Sequence, residues 1–112
     1  MPAICTRRLV HDRARAVIDI LPKHLDEVRK ILHQHLPYAQ VWAFGSRVTA
    51  GASEGSDLDL VVQSPDGEAI PLGRVREAFS DSNLPFAVEL LDWATIPEHF
   101  RHEILKSYVV VQ

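Results

Sequence analysis

Cysteine is almost missing from this sequence, and the single thiol, Cys5, cannot form an internal disulfide. With no partners around it at ligand spacing, Cys5 offers no zinc site and reads as an incidental thiol in a reducing compartment. Long apolar runs are missing as well. No segment reaches the ~20 residues that a membrane-spanning helix needs, and residues 1–10 lack the apolar core of a signal peptide. A cytoplasmic protein with no membrane association is the expectation. Positive charge is in short supply too, with 12 Lys and Arg against 15 Asp and Glu and a net charge of −3. That balance argues against a protein that grips extended nucleic acid by its phosphates alone. It leaves room for a nucleotide bound through a divalent cation, because the cation then brings the charge. No internal repeat or low-complexity linker breaks the chain.

What is present suits one small domain. A length of 112 residues leaves no space for a second core of ordinary size, and 46% hydrophobic with 24% charged residues is a globular composition. Residues 1–16 differ from the rest: Arg7, Arg8, Arg13 and Arg15 make them basic, and they are expected to form a flexible, solvated arm. The compact domain is expected over residues 17–112.

Within that domain Leu25, Val28, Ile31, Leu32 and Leu36 follow helical spacing, and Pro37 ends the pattern, so a helix is predicted over 22–36. Val41-Trp42-Ala43-Phe44 reads as a buried strand that breaks at Gly45. A second strand over 58–62 closes at the turn-prone Ser64-Pro65-Asp66-Gly67. Leu72, Val75 and Phe79 mark a helix from near Pro71, and 86–91 reads as a third strand. Thr95-Ile96-Pro97-Glu98 has the pattern of a capping box, launching a helix through Phe100 and Ile104. Residues 108–111 form a short terminal strand or extended tail. Alternating helices and strands predict an α/β or α+β fold, a small sheet covered by helices. The sheet is expected to be mixed, because some connections are too short for a parallel crossover.

Asp57 and Asp59 carry the most chemical information. At positions i and i+2 of an extended segment they project from one face, about 6.6 Å apart, while Leu58 and Leu60 enter the other face. Two carboxylates so close repel each other unless one is protonated or a cation lies between them. Magnesium suits such a pair, since it takes oxygen ligands and is commonly shared between carboxylates and substrate phosphates. Alone, Asp-x-Asp is as readily the polar face of an edge strand. Gly45-Ser46, directly after an apolar strand, changes the balance: glycine lets backbone amides approach a phosphate, and serine adds a hydroxyl.

The stretch Phe44-Gly45-Ser46-Arg47, with ten residues between Ser46 and Asp57, then Asp57-Leu58-Asp59-Leu60-Val61 resembles the Gly-Ser-x10-Asp-x-Asp signature of the polymerase-beta-like nucleotidyltransferases. The short length and order of elements resemble the minimal nucleotidyltransferase branch, over most of residues 20–111. The resemblance implies a polymerase-beta-like fold and transfer of a nucleoside monophosphate, most simply AMP from ATP, to an acceptor hydroxyl. It assigns Asp57 and Asp59 to two magnesium ions, and Gly45 and Ser46 to the triphosphate. Arg47 is either a phosphate contact or an exposed structural arginine. The family places a third carboxylate on a neighbouring strand, where this chain has two candidates. Glu89 holds the position usually occupied by aspartate, one methylene longer, on the face opposite Val88 and Leu90, and would bind metal or deprotonate the acceptor. Asp92 shares the face of those apolar residues and ranks second.

The same branch is best known as antitoxins that add adenylate to a tyrosine of a helical HEPN ribonuclease toxin, so a HEPN-type partner is the specific expectation. With no acceptor-binding domain of its own, the chain would draw its acceptor surface from that partner or from a homo-oligomer. Two other readings stand beside it: nucleotidylation of a small molecule such as an aminoglycoside, and a non-catalytic module that neutralises a partner by contact. His99 and His102 share a helix face but have no further ligands at metal spacing, and Trp42 reads as core before it reads as a base-stacking residue.

Overall fold

The structure is a computed structural model in which residues 18–49 and 56–112 are described. The expected N-terminal arm, with Cys5 and its four arginines, lies outside the described residues. Helix α1 (Pro22–His35) is followed by β1 (Gln40–Phe44), β2 (Leu58–Gln63), α2 (Gly73–Ser80), β3 (Val88–Asp92), α3 (Glu98–Lys106) and β4 (Val109–Val110). The strands form one sheet in the order β3-β2-β1-β4. β1 runs antiparallel to both β2 and β4, while β2 and β3 are parallel, so the sheet is mixed as expected. The parallel pair is the one whose connection contains a helix, α2, as a crossover requires.

Alternation along the strands sorts the core into two layers. Val41, Ala43, Leu58, Leu60, Val62 and Leu90 face α1 and α2, where Val28, Ile31, Leu32, Val75 and Phe79 complete the larger core. The opposite sheet face carries Phe44 and Val61 against Ile104 of α3. Trp42 belongs to this second layer. It is half-buried, stacks on Tyr108 at 4.4 Å and meets Trp93 edge-on at 5.3 Å, so both tryptophans are accounted for by packing within the chain.

Pro22 opens α1 at a position where its missing N–H costs nothing, and Leu36 closes it through Leu36 N–H to Leu32 O at 2.7 Å, just before Pro37. The C-terminus is tied beneath that helix end: Gln112 Nε2 donates to Leu36 O at 2.7 Å and to Ala39 O at 3.0 Å. The capping box expected at residues 95–98 does not form. Thr95 Oγ1 donates instead to Asp92 O at 3.1 Å, completing a turn off β3, and α3 begins at Glu98 with Pro97 as an N-cap that supplies no side-chain bond. Among the described residues no helix is long and apolar enough to cross a membrane.

Candidate active site

β1 ends at Phe44, and Gly45 turns the chain with φ of +83°, a conformation that glycine reaches without steric cost. Its carbonyl accepts from Val48 N–H (3.0 Å), Thr49 N–H (3.1 Å) and Thr49 Oγ1 (3.1 Å), which winds residues 45–49 into a single helical turn. The absent side chain has a second consequence. A Cβ at Gly45 would overlap Asp59 Oδ2 and come within 3.3 Å of Asp59 Cγ. The room left by glycine is taken up by the carboxylate on the next strand.

Asp59 sits on β2 between Phe44 of β1 and Glu89 of β3, each its register partner. Neighbouring strands are about 4.8 Å apart, so the two carboxyl groups rise side by side from the sheet face that α3 covers. Asp57 lies one residue before β2, exposed, on the same alternation as Asp59. Burial pushes the Asp59 carboxyl above its ordinary value, and the charges of Asp57 and Glu89 push it in the same direction. Three acidic groups thus act on one spot. The donor set is all carboxylate oxygen, which fits a hard divalent cation such as magnesium. Among the described residues no three ligand-type side chains form a preassembled metal cage. Such a site suits an ion that arrives with substrate phosphates supplying the remaining oxygens.

Asp92, the second candidate for the third carboxylate, points the other way. It is 7% exposed, and its oxygens accept from Ile70 N–H at 2.7 Å and Ala94 N–H at 3.0 Å, so it organises two loops on the buried side of the sheet. Arg47 is buried rather than exposed. It is 6% exposed, and its guanidinium donates to Ser56 O at 2.9 Å and Asp19 O at 2.8 Å and lies over the Phe86 ring at 4.5 Å. The turn after Gly45 directs it under the sheet, where it holds the backbone just ahead of Asp57.

An open cleft of about 730 Å³ lies over Asp59 and Glu89. Phe44, Leu91 and Ile104 form its apolar part, and Phe100, Glu103, Lys106 and Ser107 bring α3 to its far side. No local pattern marks this wall, since α3 joins the site only through the crossing of a helix over the sheet.

Comparison with known proteins agrees with this arrangement. The family described as "Polymerase beta, Nucleotidyltransferase" matches residues 26–112, a stretch that includes the whole sheet and the cleft. Over 98 residues the chain is 49% identical to a protein of Haemophilus influenzae named "Probable protein adenylyltransferase MntA", covering 87% of this chain and 86% of that one. A mixed sheet with helices on both faces, and glycine, serine and two aspartates at the ends of its first two strands, is what such a relationship requires. The chain belongs to the polymerase beta nucleotidyltransferase family, as a minimal nucleotidyltransferase of the MntA type.

Proposed function

We propose that this nucleotidyltransferase moves AMP from ATP onto a tyrosine hydroxyl of a HEPN-type toxin, and so serves as the antitoxin of that pair. The observation that carries the proposal is the side-by-side placement of Asp59 and Glu89 beneath an open cleft, with Gly45 against the Asp59 carboxylate. The relative's name, a protein adenylyltransferase, supports a protein acceptor.

In this reading Asp57, Asp59 and Glu89 hold magnesium, two ions by family resemblance, which neutralises charge on the triphosphate when bound. The Gly45-Ser46 turn meets the phosphates with its amides and the Ser46 hydroxyl. Arg47 fixes the segment before Asp57 and leaves phosphate contact to others. The tyrosine oxygen attacks the α-phosphorus as the bond from that phosphorus to the bridging oxygen of the β-phosphate breaks. Pyrophosphate leaves with the electron pair, and Glu89, at the edge of the cleft, accepts the tyrosine proton.

The test is incubation with α-labelled ATP, magnesium and the HEPN-type protein, followed by mapping of the label. Transfer to a tyrosine, abolished by Asp57→Asn with Asp59→Asn, is the expected result. If the double variant still neutralises the toxin and the wild type transfers no label, neutralisation works by contact and the catalytic proposal fails.

A further inference from the structure

The far wall of the cleft has chemistry that the carboxylates do not explain. α3 ends at Lys106, and Lys106, Ser107 and Thr49 all line the cleft that holds Asp59 and Glu89. Among the described residues Lys106 is the only cation in that lining, against the carboxylates of Asp59, Glu89 and Glu103. Its Nζ lies 2.9 Å from Glu103 Oε2, and the two side chains are 70% and 61% exposed. A pair this exposed is screened by solvent and contributes little, so exchanging Glu103 for another anion costs little.

We propose that Lys106 receives the polyphosphate tail of the nucleoside triphosphate, releasing Glu103 as it does so, with the Ser107 and Thr49 hydroxyls beside it. This rests on the reading of the cleft as a nucleotide site. A triphosphate entering here meets three carboxylates, and the carbonyl end of α3 adds partial negative charge on the same side. A divalent cation held by Asp59 and Glu89 would serve the strand wall, which leaves the helix wall to supply a positive charge of its own. A lysine fits that task, because a compact ammonium on a flexible four-carbon stem can leave one oxygen partner for another. Glu103 then acts as a placeholder that only a dense anion displaces. Lys106 thereby favours triphosphate over monophosphate. A plainer role is available for the same residue: a basic side chain in the last turn of a helix, offsetting the helix dipole and pairing at i,i+3. That role predicts an effect on melting and none on nucleotide affinity.

The experiment is titration calorimetry of the full chain with MgATP and with AMP, for wild type, Lys106→Met, Lys106→Arg and Glu103→Gln, with a melting curve for each. Lys106→Met should weaken MgATP roughly ten- to a hundredfold, the loss of one charge-assisted contact, while AMP affinity and melting stay within error of wild type. Lys106→Arg should recover most of the MgATP affinity. Glu103→Gln should bind MgATP roughly two- to fivefold more tightly, as expected from removing an exposed competing partner. Equal MgATP binding by Lys106→Met and wild type overturns the assignment, and so does an equal loss of MgATP and AMP. Weaker binding by Glu103→Gln overturns the placeholder role. If the wild type itself binds no MgATP, the reading of the cleft fails first, a result distinct from a wild type that binds and a Lys106→Met variant that binds as well.

Discussion

Gly45 and Gly67 both hold positive φ, at +83° and +78°, but a Cβ at Gly67 meets nothing within 4 Å, whereas one at Gly45 overlaps Asp59 Oδ2. Alanine at the two positions therefore separates a backbone cost from a steric one. The left-handed conformation costs a non-glycine residue about 1–2 kcal/mol, and the lower entropy of the unfolded alanine chain offsets part of this equally at both sites. Gly67→Ala should lose about 1 kcal/mol and keep full transfer activity. Gly45→Ala should lose a further ~1–3 kcal/mol, the usual range for forcing extra atoms into packed space, because Asp59 is held between Phe44 and Glu89 and has little freedom to withdraw. Each kcal/mol lowers Tm by about 4–8 °C in a domain near this size.

The assay is denaturant unfolding with matched m-values, together with kcat for adenylate transfer. Activity of Gly45→Ala should fall well beyond its loss of stability, since the displaced carboxylate is a proposed metal ligand. In an Asp59→Ala background the obstruction is gone and Asp59 Cβ, at 3.5 Å, is ordinary contact, so Gly45→Ala should there cost no more than Gly67→Ala. An equal cost at both glycines in the native background would refute the argument that glycine makes room for the carboxylate. A cost that persists without the Asp59 carboxylate would refute it as well.

Asp59→Asn should abolish transfer yet modestly stabilise the metal-free protein at neutral pH, a trade of activity for stability where a site is built from mutual repulsion. The sign follows from linkage: the folded carboxyl is raised above 3.8, so the native state binds more protons than the unfolded one just above that value, and stability falls as pH rises through the folded pKa. In EDTA, unfolding curves of Asp59→Asn should show a smaller fall across that window than wild type, and an equal fall would sink the reading. Asp92→Ala should cost about 2–4 kcal/mol by leaving the buried amide of Ile70 and the half-buried amide of Ala94 without their acceptor, while the folded fraction keeps its kcat. Glu89→Gln should do the reverse, with unchanged Tm and lost transfer; equal activity losses in the two variants would show that both carboxylates serve the site. Arg47→Lys should lower stability by roughly 1–3 kcal/mol and reduce kcat, because one ammonium cannot reproduce the planar fork that meets both Ser56 O and Asp19 O; wild-type melting would contradict that account.

The legible part of this protein was whatever a period of two or 3.6 could reveal. Parity along a strand put Asp59 opposite Leu58 and Leu60, and the same parity put Glu89 opposite Val88 and Leu90, so two sequence-distant carboxylates landed on one sheet face once β2 and β3 paired in register. α1 was visible because Val28, Ile31 and Leu32 repeat on one side and Pro37 stops them. Boundaries set by tertiary partners were not visible. β3 starts at Val88 rather than 86, and the Phe86 ring instead packs under the Arg47 guanidinium. The Thr95 hydroxyl bonds to the strand-end carbonyl of Asp92 instead of capping α3. Arg47 itself shows why local pattern runs out at a loop. Its acceptor Asp19 O is 28 residues away, and nothing in Gly-Ser-Arg distinguishes a side chain that reaches up to a phosphate from one that is drawn down beneath the sheet. The wall formed by Lys106 and Glu103 is the same case at a larger scale. Helical periodicity shows that α3 has an apolar side at Phe100 and Ile104, but only the crossing of α3 over β1, β2 and β3 decides that its C-terminal charges line the same cleft as two strand carboxylates. A cleft made by two layers is therefore half readable from either layer, and the strand half is the readable one because its alternation fixes side-chain direction residue by residue.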